Sequence, residues 1–349
     1  VASSCVCRTR SSAGNLLSKG SSFAAMVAAQ VQQLWGNQTL SSLAQALLEV
    51  AWDDSSRGPC RQVVDFCAGR WDVPLVFLAA YLAMVWLASW QQPGRSGGRR
   101  IDHAFAAWNL MLSLFSSWGI WQHAMHLQEA VASEGFLNTV CNDPFSFKTD
   151  SSRHPTLALF LFAFSKIPEL GDTVFLILKG KRVRFLQWYH HSTVMLFCWL
   201  AIATEYTPGI WFAATNYAVH SIMYMYFFLM AFNAFKNVVK VIAPLVTVIQ
   251  IAQMIFGLFI NGYAVWSYIV GRYCHIQDVA VYAAVVMYGS YFVLFSQLFF
   301  ESRRPKTRSA KSEQHTSDAQ ASGSKRVTSI TRVNSCDVAK LGTLVAELS

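Results

Sequence analysis

Between Lys166 and His191 the sequence reads KIPELGDTVFLILKGKRVRFLQWYHH, placing a lysine, two carboxylates and two imidazoles among side chains that are almost all apolar. In a helix Lys166, Glu169 and Asp172 recur every third residue, and Gln187, His190 and His191 at i, i+3 and i+4 share one side of the next helix. Asn216, His220, Met223 and Tyr224 repeat this spacing later, and Thr247, Gln250 and Gln253 follow at three-residue intervals. Polar and charged groups placed in hydrocarbon must face protein or a cavity, where they suggest function.

A neutral imidazole offers one basic nitrogen near neutral pH, so His190, His191 and His220 can act as nucleophile or general base. A thioester is a suitable electrophile for such a group. A carbanion beside a carbonyl needs fixed donors as well, and Asn216, Gln250, Gln253 and Tyr224 are available. The residues by themselves lead to acyl or carbonyl chemistry on an apolar substrate.

Plainer readings stand beside this one. Hydrogen bonds that bridge membrane helices account equally well for Thr247, Gln250 and Gln253. Lys166 with Glu169 or Asp172 can be an internal ion pair that supports a site, since a buried charge must be paired. Metal binding is the sharpest rival, because paired imidazoles near carboxylates suit zinc or iron. Yet the candidates for burial in the membrane are only His190, His191 and His220, with His103 adding at most one. His123, His126, His154 and His275 fall toward the opposite side and His315 in the tail. That is too few for a histidine-rich di-iron centre, and no metal or cofactor is expected.

The elements that must hold these groups follow from composition. Of 349 residues, 54% are hydrophobic and 13% charged, with 25 Phe, 12 Trp and 12 Tyr. Apolar runs of about 20 residues recur, which indicates an all-α polytopic membrane protein. The net charge of +9 sits in short clusters beside those runs and in a Ser-rich tail. With no nucleic-acid-binding motif, membrane orientation explains the charge and nucleic acid is not an expected partner.

Seven transmembrane helices are predicted, at about 73–90, 104–125, 155–178, 183–203, 210–230, 238–263 and 279–300. Pro168 should bend or interrupt the third. The loops then alternate in charge. One set holds Arg95, Arg99 and Arg100; Lys179, Lys181, Arg182 and Arg184; Lys236 and Lys240; and Arg303, Arg304 and Lys306. The other holds Glu129, Glu134 and Asp143; Glu205; and the mixed pair Arg272 and Asp278. The basic set marks the cytosolic side, giving a lumenal N-terminus and a cytosolic C-terminus.

Three regions result. Residues 1–70 form an N-terminal extension, partly amphipathic or disordered, with an amphipathic stretch from Phe23 to Val50 and a glycosylation sequon at Asn37. Its opening CVCRTRSSAG is basic and small, with no clear signal-peptide core and cleavage site after it. Residues 71–303 form the seven-helix domain. Residues 304–349 form a disordered cytosolic tail. Cys141 and Cys274 fall in two lumenal loops, where an oxidising compartment permits a disulfide. Cys60 and Cys67 are weaker candidates, Cys198 should be buried, and Cys336 should be reduced in the tail. Spacing alone does not settle the pairing.

At these motifs the chain resembles the very-long-chain fatty acid elongases, the membrane 3-ketoacyl-CoA synthases. The family's KxxExxDT pattern is similar to Lys166, Glu169, Asp172 and Thr173. Its HxxHH box resembles Gln187, His190 and His191. NxxxHxxMYxYY resembles Asn216, His220, Met223, Tyr224, Tyr226 and Phe227, and TxxQxxQ resembles Thr247, Gln250 and Gln253. The likeness runs over about residues 70–303 in the family's order and spacing. Gln187 replaces the first histidine of the box and keeps only hydrogen bonding. Phe227 lacks the last tyrosine's hydroxyl. The wording WYHH and NYAVH looks most like members that handle saturated or monounsaturated chains.

The resemblance implies an elongase-type bundle enclosing an acyl tunnel in the endoplasmic reticulum membrane. It implies decarboxylative condensation of malonyl-CoA with a long-chain acyl-CoA to a 3-ketoacyl-CoA two carbons longer. By that likeness His190 and His220 form the catalytic pair, one of them able to carry the acyl group, while His191 orients or polarises and Asn216 and Gln187 support. Lys166, Glu169, Asp172, Tyr224, Thr247, Gln250 and Gln253 would support or bind substrate. Lys179, Lys181, Arg182 and Arg184 lie where CoA phosphates would approach, although orientation alone also explains them. Implied partners are the ketoacyl-CoA reductase, dehydratase and enoyl-CoA reductase of the elongation cycle, and a homodimer is compatible. The alternatives are an acyl-CoA or lipid transporter or binding protein, which would leave carbon count unchanged, and a seven-span receptor.

Overall fold

The computed structural model describes residues 39–52, 57–90, 98–141, 155–274 and 276–303. Among them are eleven α-helices: α1 (Leu40–Trp52), α2 (Arg57–Gly69), α3 (Asp72–Ser89), α4 (Gly98–Glu134), α5 (Phe136–Cys141), α6 (Thr156–Glu169), α7 (Gly171–Leu178), α8 (Phe185–Ala203), α9 (Gly209–Met230), α10 (Lys236–Ile269) and α11 (Asp278–Arg303). All seven predicted segments are helical. Asn37, Arg95, Asp143, His154, His275, His315 and Cys336, with the tail from residue 304, lie outside the described residues.

The third predicted segment is two helices. Pro168 has no N–H to donate, and its ring crowds the carbonyl one turn earlier. Just beyond it the ladder tightens to three-residue bonds, Leu170 N–H to Ile167 O at 3.1 Å and Thr173 N–H to Leu170 O at 3.2 Å. The Trp108 ring fills the joint, and a Cβ on Gly171 would come within 3.2 Å of it. Lys166 and Glu169 therefore end α6 while Asp172 starts α7, so one predicted face is divided.

α7 stops at Gly180, whose φ of +68° suits glycine. The N–H of Gly180 bonds Ile177 O and that of Lys181 bonds Leu176 O, both at 2.9 Å, which closes the helix end and starts the basic turn. At the start of α1, Thr39 Oγ1 accepts from Ser42 N–H at 3.1 Å while Ser42 Oγ accepts from Thr39 N–H at 3.0 Å. This reciprocal cap satisfies two otherwise unpaired donors.

Packing centres on α9. It runs along α4 so closely that a Cβ on Gly119 would meet the Tyr217 ring, 2.4 Å from its Cζ. One apolar core joins α1 and α2 to α6 and α8 through Val50, Val63, Phe66, Phe160 and Trp199. Trp199 Nε1 also donates to Cys67 O at 2.7 Å. A second core joins α8 and α9 to α10 and α11 through Phe197, Phe212, Met254, Tyr288 and Phe295. A disulfide ties Cys141 to Cys274 across 133 residues. Cys67 is a free buried thiol, so no Cys60–Cys67 bridge forms; Cys198 is likewise free and buried.

Among the described residues, three helical stretches are long and apolar enough to cross a membrane: Asp72–Ser89, Val241–Ile269 and Asp278–Glu301. The first is only 11% buried, so α3 stands on the outside of the bundle. α6 and α7 fall short because the break divides them into 14 and 8 residues. α8 and α9 have the length, but their faces carry Gln187, His190, His191, Asn216 and His220.

Candidate active site

The geometry starts with one buried cation. Lys166 Nζ donates to Glu169 Oε1 at 2.8 Å, to Glu169 Oε2 at 3.0 Å and to Asn216 Oδ1 at 3.2 Å. It also lies 4.2 Å from the centre of the Phe162 ring. Ser165 Oγ adds a donor to Glu169 Oε1 at 2.8 Å. The ion pair closes the last turn of α6, the bond to Asn216 ties it to α9, and every ammonium proton has an acceptor or a ring face.

This pairing orients His220. With its oxygen held by Lys166, Asn216 turns its amide nitrogen toward His220 Nε2, 3.2 Å away. The amide can only donate there, so His220 Nε2 accepts and Nδ1 carries the proton. Nδ1 faces Glu169 Oε2 at 3.9 Å, beyond hydrogen-bond reach but favourable in sign.

Asp172 belongs to a second network. Trp108 Nε1 donates to its Oδ1 at 2.6 Å and Tyr224 OH to its Oδ2 at 2.8 Å. Next to it, Thr173 Oγ1 is 2.9 Å from Tyr81 OH and 3.4 Å from Gln187 Nε2. α3, α4, α7, α8 and α9 are thereby cross-linked at one level. Tyr224 connects the two networks, its ring edge-on to His220 with centres 5.2 Å apart.

In front of them lies a recess lined by His190, His191, Asn216, His220, Tyr224, Gln250 and Gln253 with Met223, Met254 and Phe295. His190 Nδ1, His191 Nδ1 and Gln250 Oε1 are buried there without hydrogen-bond partners. Polar atoms left so are costly, and in a recess they are groups a substrate can satisfy. Tyr291 of α11 holds His190 from behind. Its OH donates to His190 O at 3.1 Å and lies 2.5 Å from Thr193 Oγ1, and its ring is 4.6 Å from the imidazole.

The predicted site residues thus fall into groups. His190, His191, His220, Asn216, Tyr224, Gln250 and Gln253 come together on the recess. Lys166 and Glu169 stand behind it, and Asp172 and Gln187 lie in the second network. Thr247 is buried with its hydroxyl unpartnered and does not line the recess. Lys179 is bound to Asp102 at 3.0 Å and lies over the Phe105 ring at 4.5 Å, so it braces the basic turn against α4. Lys181 and Arg182 are exposed and Arg184 is half-buried. Sequence reasoning missed Trp108, Tyr81, Ser165, Tyr291 and Phe295. Nothing in their spacing distinguishes them from the other aromatic and hydroxyl residues of apolar helices.

Residues 66–311 match the family model described as GNS1/SUR4, ELO. The chain is 40% identical over 220 residues to Fatty acid elongase 3 of Trypanosoma brucei brucei, covering 56% of this chain and 71% of that protein. It is 36% identical over 256 residues to Fatty acid elongase 3 of Trypanosoma cruzi, covering 66% and 84%. To Very long chain fatty acid elongase 6 of Gallus gallus it is 33% identical over 259 residues, covering 72% and 91%. The matched segment contains both networks and the whole recess, and this polytopic, all-α chain belongs to the GNS1/SUR4 (ELO) family of fatty acid elongases.

Proposed function

We propose that this protein condenses malonyl-CoA with a long-chain acyl-CoA, releasing carbon dioxide and forming a 3-ketoacyl-CoA two carbons longer. The observation that carries the reading is the recess. Three imidazoles converge there, two of them with an unpartnered nitrogen, in a chain of the elongase family.

His190 is the acyl carrier in this account, since His220 already spends Nε2 on Asn216. A ring nitrogen of His190 attacks the primer thioester, and CoA leaves as a thiolate that takes up a proton. Malonyl-CoA then loses its carboxylate as carbon dioxide, and the electrons of the broken bond form an enolate at the adjacent carbon. That carbon attacks the acyl carbonyl, the new carbon–carbon bond forms, and the imidazole leaves with its electron pair. His191 faces the reacting carbonyls, where a donor on developing negative charge contributes most, while Gln250, its amide nitrogen on Met223 Sδ at 3.2 Å, offers Oε1 as an acceptor to a substrate donor. Asn216, fixed by Lys166, holds His220 in one tautomer.

Two further features support these substrates. The exposed Lys181 and Arg182 begin the turn that leads into α8, and His190 lies six residues after Arg184, about 9 Å along the helix. CoA phosphates bound at that turn would leave the thioester near the imidazoles. On the other side of the histidines, the same helices continue into an apolar recess lined by Phe162, Ala163, Phe197, Cys198, Ile202 and Phe212. Cys198 stands two turns past His191, about 10 Å of helix, where the acyl chain would extend. In this reading seven helices span the endoplasmic reticulum membrane, with the basic turn cytosolic and the apolar recess toward the lumen.

Purified protein supplied with acyl-CoA primers of several lengths and labelled malonyl-CoA tests the proposal. The expected products are 3-ketoacyl-CoA species two carbons longer than each accepted primer, lost in His190→Ala. Folded protein that binds acyl-CoA and returns it unchanged would instead be a carrier.

A further inference from the structure

α1 has two apolar faces. One holds the buried Ala46 and Val50 with Leu43 and Leu47, and packs on the bundle. The other is a line at four-residue spacing, Leu40, Ala44, Leu48 and Trp52, which lies along one side of the helix. Leu40 is 66%, Leu48 63% and Trp52 91% exposed. Gln45 and Glu49, joined at 3.1 Å, are exposed polar side chains of the same helix.

α2 has the opposite outer surface. Its apolar residues Val63, Val64, Phe66 and Cys67 are buried, while Arg61 and Gln62 face outward. Arg61 pairs with Asp65 at 3.0 Å and with Glu205 of the α8–α9 loop at 2.7 Å. One hairpin thus presents charge from one helix and an aliphatic line ending in tryptophan from the other.

Its position in the chain says what these surfaces meet. α2 ends at Gly69 and α3, exposed along most of its length and long and apolar enough to cross a membrane, starts at Asp72, directly after the hairpin. We propose that α1 lies along the bilayer boundary with Leu40, Ala44, Leu48 and Trp52 inserted among lipid acyl chains, while the charged face of α2 stays in water. A helix with one aliphatic line, a terminal tryptophan and few charges on that side suits this depth. The hairpin's first helix lies wholly before the segment matched to the family, so this membrane contact is additional to the elongase domain.

The test uses the full chain in phosphatidylcholine vesicles, with the photoreactive residue p-benzoylphenylalanine placed singly at positions 48, 52 and 62. All three side chains are exposed, so the substitutions leave the core intact. After illumination and mass mapping, phospholipid adducts should form at positions 48 and 52 at least several-fold more often than at 62. Adducts at 48 and 52 to a second copy or to another stretch of this chain would overturn the proposal. So would equal, low lipid labelling at all three positions.

Discussion

Replacing Lys166 with methionine isolates the buried ion pair. Lys166 is 2% exposed and Glu169 4%, so neither charge is relieved by water. Lys166→Met removes three hydrogen bonds and leaves the Glu169 carboxylate with Ser165 Oγ at 2.8 Å and the distant His220 at 3.9 Å. Leaving one partner of a buried pair uncompensated costs about 3–5 kcal/mol. The double variant Lys166→Met with Glu169→Gln removes the orphan charge as well, and should recover most of that loss. Neither variant restores the bond that fixes Asn216, whose amide is then free to turn from His220 Nε2. Losing one such oriented hydrogen bond, about 1 kcal/mol, slows turnover roughly fivefold in both. Unfolding in detergent and the rate of 3-ketoacyl-CoA formation separate the two effects. A single variant as stable as the parent, or a double variant no more stable than the single, would refute the buried-pair reasoning.

Other perturbations probe other parts of the fold. Gly119→Ala drives a methyl group into the Tyr217 ring, and should cost about 1–3 kcal/mol at the α4–α9 contact, seen as earlier unfolding. Trp108→Phe withdraws the 2.6 Å donor and leaves a buried oxygen of Asp172 unsatisfied, which should destabilise by about 1–3 kcal/mol. Burial pushes the Cys67 thiol above its ordinary range. Less thiolate is then present at any given pH, so iodoacetamide at mildly alkaline pH should modify Cys67 only after unfolding, read by peptide mass. Reduction of the Cys141–Cys274 disulfide releases a loop of 133 residues and should lower stability by up to about 5 kcal/mol, measured as a shift in unfolding with and without reductant.

How far the sequence reveals this arrangement depends on the kind of signal. Helix positions follow from apolar runs, and the rare polar residues inside them single out His190, His191, Asn216 and His220 as candidates, but the same signal fits His123 and His126, which are buried on α4 and do not line the recess. Which polar residue meets which is a matter of three-dimensional packing. Lys166, Glu169 and Asp172 share one spacing, yet the break after Glu169 sends Asp172 to Trp108 on α4 and Tyr224 on α9. Tyr291 reaches His190 from 101 residues away, a contact no local pattern contains. Lys179 has the look of a phosphate ligand in a basic turn, and its pairing with Asp102 on α4 is seen only in three dimensions. Part of the N-terminal extension is likewise joined to the bundle, because Phe66 and Cys67 meet Trp199 from the far side of α3 in sequence.

The most direct test of the central claim is a single turnover with malonyl-CoA labelled in its free carboxyl carbon. Carbon dioxide and 3-ketoacyl-CoA are followed together in the parent protein and in folded His190→Ala. The account predicts equal amounts of the two products, both dependent on primer, and neither in the variant. Acyl-CoA bound without release of labelled carbon dioxide, or condensation undiminished in His190→Ala, would contradict it.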